Sequence, residues 1–250
     1  MDSVSTVLDK IKNDNIKWLE FQFVDVLGAL QHIHIPTHSV TESDFVEGFG
    51  KLDGSSIKGF KEIHESDMVM KPDLQTFTIL PWYQDDHKTA RLIVDIFEGF
   101  TKERFLRDSR FIAQKAEEEA QKMGFDKTFW GPELEFFVFD SVQLLPSPLA
   151  ARDSWNGSGY AIESIEAPWN VNGGKGYPIN FKSGYYPSSP QDTLTEFRNE
   201  ACRILSENFG ILLDAHHHEI ATAGQCEINM KYDELVKMAD KVMTYKYVIK

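Results

Sequence analysis

The sequence predicts an α+β fold, because segments with the pattern of short strands are mixed with segments that have the apolar stripe of an amphipathic helix. The clearest helical pattern covers 4–13, where apolar residues recur at i, i+3, i+4 and i+7. A second stripe covers 192–208. Segments 16–25 and 89–97 have the composition of strands, and the first of them alternates apolar and polar side chains.

Composition and charge restrict the classes of function. The chain of 250 residues is 42% hydrophobic and 26% charged, which is typical of a globular protein. Its formal net charge of −13 argues against a nucleic-acid or membrane-surface partner, because both prefer basic patches. The first ten residues lack the pattern of a signal peptide, and no apolar run approaches the ~20 residues of a membrane span. With only Cys202 and Cys226 present, no disulfide framework is expected, and a cytoplasmic location is predicted.

The other elements are predicted from local signals. Four glycines between positions 48 and 59 make 49–60 a loop rather than a regular element. A long helix is predicted over 104–123, with Gly124 as its stop. The remaining predictions, in chain order, are strands over 29–35, 74–80 and 131–140, an irregular excursion over 141–176, and a final helix over 232–250. The final helix ends without a Gly, Asn or Pro signal, so we expect the sequence to be the first part of a longer chain.

The most informative stretch is HHHEIATAGQCEIN, from His216 to Asn229, which contains three histidines and two glutamates. It follows a short apolar run and is interrupted by small residues, a pattern that predicts two extended segments joined by a loop. Glu219 closes the first segment and Glu227 opens the second, so a reversal between them brings two carboxylates to one point. Such carboxylates repel one another unless a cation lies between them, and hard oxygen ligands suit Mg²⁺ or Mn²⁺.

A second acidic element is GPELEFFVFD, which is predicted to be a strand rich in phenylalanine. Glu133 and Glu135 are two positions apart, so on a strand both side chains point to the same face. Two like charges on so apolar a strand are costly, and a bound divalent cation, or two, would offset that cost.

Each pattern also has a purely structural interpretation. A run of histidines is often a satisfied cluster without a ligand, and the glutamate pair can lie on the wet face of an edge strand. The spacing of a zinc hydrolase fails, because the residue four after His218 is Thr222 rather than histidine. His32 and His34 share one face of a predicted strand, and His38 follows them. No carboxylate accompanies these three, so we expect them to be structural.

Four motifs in a fixed order carry a family resemblance. They are DGSSIKGFKEIHESDM at 53–68, the Glu133-x-Glu135 strand, SGYYP at 183–187, and HHHEIATAGQ-x-E followed by a helix that contains Lys-Tyr. Together they resemble glutamine synthetase of the prokaryotic type I, over nearly the whole chain. The resemblance implies a small β-grasp domain over 1–101. Over 102–250 it implies the first part of the catalytic domain, with an antiparallel sheet and helices.

The resemblance also implies a reaction and its metals. The reaction is ATP-dependent ligation of ammonia to the γ-carboxylate of glutamate through γ-glutamyl phosphate, which gives glutamine. Two or more Mg²⁺ or Mn²⁺ ions per active site are implied, with ATP as a co-substrate. One cation would be held by Glu135, Glu219 and Glu227, and a second would be touched by Glu133. Glu135 and Glu219 would also lie against the substrate.

The loop that contains Asp53 is implied to serve the ammonia step. Asp53 would be the catalytic residue that binds ammonium and draws off its proton, facing the site of the neighbouring subunit. Ser56 would support it, and Tyr185 would line the ammonium site.

For the nucleotide, the resemblance implies Asp214 and Tyr232. Asp214 departs from the family, which usually has a glutamate at that position. No phosphate-binding loop is expected to help, because Gly173–Gly176 lacks the required spacing and no Ser or Thr follows its lysine. The implied partners are glutamate, ammonium and ATP, in a homo-oligomer, a dodecamer, with active sites between subunits.

Two alternatives stay open. One is a glutamate–amine ligase of the same superfamily that accepts a larger amine, and the other is a non-catalytic relative. Four glutamates at the implied ligand positions argue against the non-catalytic relative. Because further ligands are expected beyond Lys250, the 250-residue chain by itself is expected to be inactive.

Overall fold

The residues described by the computed structural model, 3–145, 159–170 and 177–250, divide into two units. The first unit consists of Met1–Trp130, Glu207–Gly210 and Tyr232–Lys250, and the second of Gly131–Ser206 and Ile211–Lys231. Each unit therefore combines segments that are distant in sequence. The boundary between two domains near Thr101 stays a prediction.

Helices and sheets are mixed throughout the described residues. The helices are α1 Val4–Asn13, α2 Glu42–Glu47, α3 Ser109–Lys122, α4 Thr195–Glu207 and α5 Leu235–Ile249. The strands are β1 Trp18–Val24, β2 Leu30–Pro36, β3 Phe49–Asp53, β4 Asp67–Pro72, β5 Thr78–Ile79, β6 Thr89–Glu98, β7 Phe129–Trp130, β8 Glu135–Phe137, β9 Ser141–Leu145, β10 Gly159–Glu163, β11 Leu213–His218, β12 Gln225–Met230 and β13 Asp233–Glu234. This mixture confirms the predicted α+β class. No helix in the described part of the chain is long and apolar enough to cross a membrane.

The first unit is organised around one sheet with the strand order β2-β1-β6-β4-β3, in which β5 also pairs with β6. β1 and β6 run parallel, whereas β1 pairs antiparallel with β2. β2 is thus an edge strand of this sheet. The core forms where α1 packs on the sheet through Val7 and Ile11, against buried strand residues such as Leu19 and Phe21. Full burial of one such side chain stabilises the fold by about 1.5–3 kcal/mol.

An ion-pair network joins α3 and α5 within the first unit. The guanidinium of Arg110 on α3 lies 2.5 Å from a carboxylate oxygen of Asp73, 2.8 Å from Asp95 and 3.0 Å from Asp240 on α5. The pKa of Arg110 is raised, because these carboxylates outweigh the effect of burial. Since all four side chains are largely shielded from water, the arginine is required to balance the charge of its three acidic neighbours.

Several predicted elements of the first unit are wrong in extent, and the final helix begins at Leu235 rather than at Tyr232. The segment predicted to be a loop, 49–60, begins with β3, which pairs with β4 through an irregular register and continues into a 3₁₀ turn. The predicted strand 74–80 is a 3₁₀ turn followed by the two-residue β5, because the Asp73 side chain accepts a hydrogen bond from the backbone N–H of Gln75. The predicted helix 104–123 begins only at Ser109, where Asp108 caps its N-terminus.

The second unit contains the antiparallel sheet β11-β12-β8 and a separate hairpin of β9 and β10. The predicted strand 131–140 is shorter than expected, since only Glu135–Phe137 is paired. The predicted excursion 141–176 contains the β9–β10 hairpin, while 146–158 and 171–176, with the predicted loop at Gly173–Gly176, lie outside the described residues. α4 turns Ala201, Leu205 and Arg198 into the interior of the unit.

Candidate active site

The two extended segments predicted over the histidine-rich stretch are β11 and β12, which form an antiparallel pair. His217 lies directly opposite Glu227 in this pair, and Glu227 in turn lies opposite Glu135 on β8. At the reversal between the strands, Gly224 has a φ of +79°, and a Cβ there would lie 2.6 Å from the carbonyl oxygen of Val138. The glycine therefore permits both the turn and the close approach of the segment that follows β8.

The reversal brings together His217, Glu219 and Glu227, each of which offers one ligand atom within 4.8 Å of the others. The Nε2 atom of His217 lies 3.6 Å from Oε2 of Glu227, and its Nδ1 atom lies 4.0 Å from Oε1 of Glu219. All three side chains are mostly shielded from solvent, with exposed fractions of 15% for His217, 13% for Glu219 and 6% for Glu227. The two glutamates of the stretch thus converge as their spacing predicted, and His217 joins them.

Glu135 is the first residue of the neighbouring strand β8, and Glu133 lies two residues before it. Oε2 of Glu135 accepts a hydrogen bond of 2.6 Å from the side-chain amide of Gln225. Glu133 lies outside β8, and both glutamates are exposed. Burial raises the pKa of Glu227, and the negative charges of Glu133 and Glu219 raise it further. Glu227 therefore lies among acidic groups that disfavour its ionised form.

This donor set fits a divalent cation. Carboxylate oxygens are the ligands that Mg²⁺ and Mn²⁺ prefer, and Mn²⁺ also accepts an imidazole nitrogen. A cation would offset the repulsion that raises the pKa of Glu227. Glu219 and Glu227, both predicted as ligands, are already close together, whereas whether Glu133 and Glu135 share an ion with them stays a prediction. The sequence indicates His217 only as one member of a histidine run, because its contact with Glu227 depends on strand register.

An aromatic loop lies beside His217. The ring centroids of Tyr185 and Tyr186 lie 5.9 and 4.6 Å from that of His217. The hydrogen bond between the two tyrosines raises the pKa of Tyr185, with smaller effects from desolvation and from the charges of Glu219 and Glu227. The Tyr185 hydroxyl is therefore neutral at neutral pH. It lies next to the acidic cluster formed by His217, Glu219 and Glu227.

Gly184 fixes this loop against the end of β11. Its N–H donates to the carbonyl of Ile220 at 3.0 Å, and its carbonyl accepts from Nδ1 of His218 at 2.8 Å. A Cβ at Gly184 would lie 2.4 Å from the carbonyl oxygen of Ala221, so any larger residue would push the tyrosines away. The backbone requires glycine here because of this close approach.

His218 contacts a partner that the sequence analysis missed. Its Nε2 atom lies 2.9 Å from Oε2 of Glu166, and both side chains are almost completely buried. Burial disfavours the charged form of His218, yet the hydrogen bond that His218 donates to Glu166 raises its pKa above the ordinary value. Glu166 is separated from His218 by 52 positions, so no local pattern could have indicated this pair. His218 positions the strand rather than facing the acidic cluster.

The opposite side of the hairpin is held by Arg198 of α4. This buried arginine donates to the Asp192 carboxylate at 2.5 Å, to Nδ1 of His216 at 3.2 Å and to Sγ of Cys226 at 3.3 Å. Burial raises the pKa of the Cys226 thiol to about 11, so the thiol is neutral. Arg198 thereby links both strands of the hairpin to one helix.

Asp53 and Ser56 lie in the first unit, at the 3₁₀ turn after β3. The Asp53 carboxylate accepts hydrogen bonds from the N–H and hydroxyl of Ser55, at 2.9 and 2.7 Å, and from the hydroxyl of Ser56 at 3.3 Å. These bonds, the one from the Ser55 hydroxyl above all, lower the pKa of Asp53. Asp53 is therefore an exposed, ionised carboxylate with a fixed orientation.

The two residues predicted near ATP lie in different units. Asp214 is near the start of β11, with its carboxylate 3.8 Å from Nζ of Lys231, and both side chains are half exposed. Tyr232 is 68% exposed, and its ring centroid lies 5.4 Å from that of Phe129. A nucleotide contact for either residue stays a prediction.

The fold and the site define an α+β protein with a candidate divalent-cation site on an antiparallel sheet. Residues 15–99 match the family model for the glutamine synthetase beta-Grasp domain, and residues 106–250 match the model for the glutamine synthetase catalytic domain. The chain belongs to the glutamine synthetase family. Both the family and the order of β-grasp and catalytic domains, which four sequence motifs predicted, are confirmed.

Relatives with curated names agree with this family. The chain is 50% identical over 243 residues to the glutamine synthetase of Sulfolobus acidocaldarius, which covers 97% of the chain and 49% of that relative. It is 42% identical over 250 residues to the glutamine synthetase of Frankia alni, covering 98% of the chain and 50% of that relative. The chain thus spans about half the length of these relatives.

Solved structures show the same fold. A cryo-EM structure of Plasmodium falciparum glutamine synthetase matches with a TM-score of 0.87 at 24% identity, covering all of this chain and 48% of that chain. A complex of GmaS with ADP matches with a TM-score of 0.70 at 20% identity, covering all of this chain and 49% of that chain. At such identities the likeness concerns the fold alone.

Proposed function

We propose that the protein to which this chain belongs ligates ammonia to the γ-carboxylate of glutamate at the expense of ATP, giving glutamine for nitrogen assimilation. The observation that carries this proposal is the convergence of His217, Glu219 and Glu227 at the reversal between β11 and β12. This acidic cluster lies beside the Tyr185 loop, within a chain whose relatives are named glutamine synthetases.

The residues that would hold the cations are those of the acidic cluster and β8. Glu135, Glu219 and Glu227 would share one Mg²⁺ or Mn²⁺ ion, and Glu133 would contact a second. When bound, such ions neutralise the charge that develops on a transferring phosphoryl group. Glu135 and Glu219 would also orient the γ-carboxylate of glutamate, which attacks the γ-phosphorus of ATP and releases ADP. The resulting γ-glutamyl phosphate carries phosphate as a good leaving group.

The ammonia step is proposed for Asp53, Ser56 and Tyr185. Ammonium has a pKa near 9, so at neutral pH it must lose a proton before its nitrogen can attack. Asp53 is ionised, and Ser55 and Ser56 hold its carboxylate by hydrogen bonds, which suits Asp53 to bind ammonium and accept this proton. Ammonia then adds to the acyl carbon of γ-glutamyl phosphate, and phosphate leaves. The neutral hydroxyl of Tyr185 would line the ammonium position.

The ATP contacts, the oligomeric state, the cellular location and the domain boundary are also proposed. Asp214 and Tyr232 would contact ATP, and Asp53 would serve the site of a neighbouring subunit in a homo-oligomer, a dodecamer. Both cysteines of the chain are free thiols, which favours a reducing, cytoplasmic environment. The first domain would end near Thr101.

The test is a pair of assays on the protein purified from its natural full reading frame. ADP release and amide formation are measured with glutamate, ATP, Mg²⁺ and either ammonium or a bulkier primary amine. The proposal expects both products with ammonium and a kcat/KM for the bulkier amine that is lower by at least tenfold. Preference for the bulkier amine would instead show a glutamate–amine ligase, and ADP release with no amide from either amine would refute ligation.

A further inference from the structure

A second group of metal-binding side chains lies in the first unit, on the pair of strands at one edge of its sheet. Glu20 on β1 and His32 and His34 on β2 each offer one ligand atom, and the three atoms lie within 4.8 Å of one another. Glu20 lies directly opposite His34, and Gln22 opposite His32, in the antiparallel register. Side chains two apart on a strand share one face, so the three ligands project from the same surface. The expectation that no carboxylate accompanies these histidines is therefore wrong.

The distances within this cluster suit a small metal ion. Oε1 of Glu20 lies 3.2 Å from Nδ1 of His32, and Oε2 of Glu20 lies 3.2 Å from Nε2 of His34. Ligands on a tetrahedral zinc ion with bonds of about 2.0–2.1 Å are separated by about 3.3 Å. The two distances from Glu20 to the histidines are close to this separation, each to a different oxygen of the carboxylate, and the three ligand atoms lie within 4.8 Å of one another.

The carboxylate of Glu20 is completely buried, and a buried charge requires compensation. The hydrogen bonds that the described residues give it come from neutral donors, Nε2 of Gln22 at 2.6 Å and the hydroxyl of Tyr247 at 3.1 and 3.3 Å. Arg91 lies beside Glu20 on β6, but its guanidinium donates to Oγ1 of Thr244 at 3.3 Å. Arg91 therefore compensates the negative charge of Glu20 only at longer range, without a direct hydrogen bond.

The neutral donors also fix the orientation of the carboxylate. Gln22 and Tyr247 hold both oxygens of Glu20 toward the histidines, as outer partners commonly do for a metal-ligating group. The rings of His32 and His34 meet edge to face, with their centroids 5.1 Å apart. The three ligands are thus arranged by packing and pairing that need no metal.

The cluster is reachable from solvent. The side chain of His32 is 55% exposed and that of His34 is 32% exposed, at the edge strand of the sheet. A surface cavity of about 430 Å³ adjoins His34 and is lined in part by Trp18, Trp82 and Tyr83. This cavity leaves room for a fourth ligand, such as water, beside His34.

We propose that Glu20, His32 and His34 form a binding site for a divalent transition-metal ion, with zinc as the preferred metal. Two imidazoles and one carboxylate suit Zn²⁺, whereas Mg²⁺ prefers a shell made only of oxygens. The donor set has two imidazoles and one carboxylate, whereas the cluster around Glu227 has one imidazole and two carboxylates. The ion would cross-link β1 to the edge strand β2, and it would stabilise the folded state by mass action.

The test uses the complete protein in excess Mg²⁺, which competes with the added metal for the carboxylate-rich cluster around Glu227. Co²⁺ is titrated as a spectroscopic substitute for zinc, and Zn²⁺ affinity is measured by competition. The wild type is expected to develop the intense visible absorption of four-coordinate cobalt. Glu20→Gln and His34→Ala are each expected to weaken Zn²⁺ binding at least tenfold. The matched control is His38→Ala, since His38 lies outside the cluster on the same segment of chain and should leave affinity unchanged.

A second measurement uses the wild-type protein, so its result does not depend on whether the variants fold. Zn²⁺ is expected to protect His32 and His34, but not His38, from modification by diethylpyrocarbonate, as mapped by mass spectrometry. Equal Zn²⁺ affinity in the wild type and both variants would overturn the proposal. So would zinc binding that is lost only in Glu227→Gln, or modification of His32 and His34 that zinc does not slow. The ligase reaction is assayed separately, in Mg²⁺, so failure of the zinc site leaves the proposed reaction standing.

Discussion

The side-chain amide of Gln225 donates a 2.6 Å hydrogen bond to Oε2 of Glu135, while its own carbonyl oxygen accepts from the N–H of Ala221 at 2.6 Å. Gln225 thereby connects the reversal between β11 and β12 to the carboxylate on β8. The proposed cation ligands lie on both sides of this connection. The orientation of Glu135 relative to Glu227 accordingly depends on a residue that is not itself a proposed ligand.

Replacing Gln225 by leucine should therefore weaken the proposed cation site. The change removes the donor to Glu135 and leaves the Ala221 N–H without its acceptor, while the volume of the side chain is nearly kept. Loss of such an orienting partner typically lowers metal affinity by about 10–100-fold. Mn²⁺ titration followed by electron paramagnetic resonance of the free ion measures the change. Gln143→Leu is the matched control, because Gln143 is exposed on β9. Equal Mn²⁺ affinity in both variants would show that Gln225 does not orient a ligand.

The acidic cluster could be predicted from the sequence because its signals are local. Glu219 and Glu227 lie within one short stretch whose small residues predict a reversal, and the reversal is present as β11 and β12. The prediction of α1 over 4–13 is likewise correct, since it rests on apolar spacing within one short segment.

Contacts between distant segments could not be predicted in the same way. His218 meets Glu166, and His32 and His34 meet Glu20, only because strands and loops pair across the fold. The glycine-rich segment at 49–60 is predicted to be a loop, because its glycines are a stronger local signal than its few strand-forming residues. In the structure β4 supplies a partner that local sequence does not show, and β3 forms on it.

Arg110→Met is expected to destabilise the first unit, and more so as the pH rises. Without the guanidinium, the carboxylates of Asp73, Asp95 and Asp240 repel one another. Burial already raises the pKa of Asp240 above its ordinary value, and loss of Arg110 would raise it further. An acid whose folded-state pKa is raised disfavours folding once the pH exceeds its unfolded-state pKa.

The loss at neutral pH should reach about 3–5 kcal/mol, as for a buried ion pair that loses one partner. It should become smaller as the pH falls below about 4, where the carboxylates are protonated in the unfolded chain. Urea denaturation at several pH values measures the free energy of unfolding. Arg107→Met is the control, since Arg107 is exposed on the same segment. A loss that does not depend on pH would indicate a packing defect instead of uncompensated charge.

Asp25→Asn tests a carboxylate whose pKa is lowered in the folded protein, whereas that of Asp240 is raised. Its Oδ1 accepts from the N–H groups of Leu27 and Ala29, each at 2.9 Å, and its Oδ2 accepts from the amide of Gln31 at 2.9 Å. Burial works against the ionised form, but these hydrogen bonds prevail and lower the pKa of Asp25 below its ordinary value of 3.8. A lowered folded-state pKa contributes stability above the unfolded-state pKa, and that stability is lost as the pH falls through the folded-state value.

The variant should therefore be less stable than the wild type at pH 7 by about 1.5–3 kcal/mol, the range for hydrogen bonds to a charged group. The difference should shrink as the pH falls below 3.8. Thermal unfolding followed by circular dichroism across this pH range provides the comparison. Asp9→Asn, at an exposed position on α1, is expected to behave like the wild type. A constant difference between Asp25→Asn and wild type at every pH would refute a role for the charge.

Asp53→Ala should separate the two halves of the proposed reaction. The carboxylate of Asp53 is exposed, is oriented by Ser55 and Ser56, and has a lowered pKa, so it is ionised near neutral pH. If it serves only to bind ammonium and accept its proton, glutamine formation falls by about 10²–10⁴-fold, the usual contribution of general base catalysis. Glutamate-dependent release of ADP, which the proposal assigns to the acidic cluster and not to Asp53, should continue at a slow rate. Single-turnover assays with labelled ATP follow both products in the same sample, and Asp9→Ala serves as the exposed-aspartate control. Equal loss of ADP release and of glutamine formation would place Asp53 in the phosphoryl step, or in the fold itself.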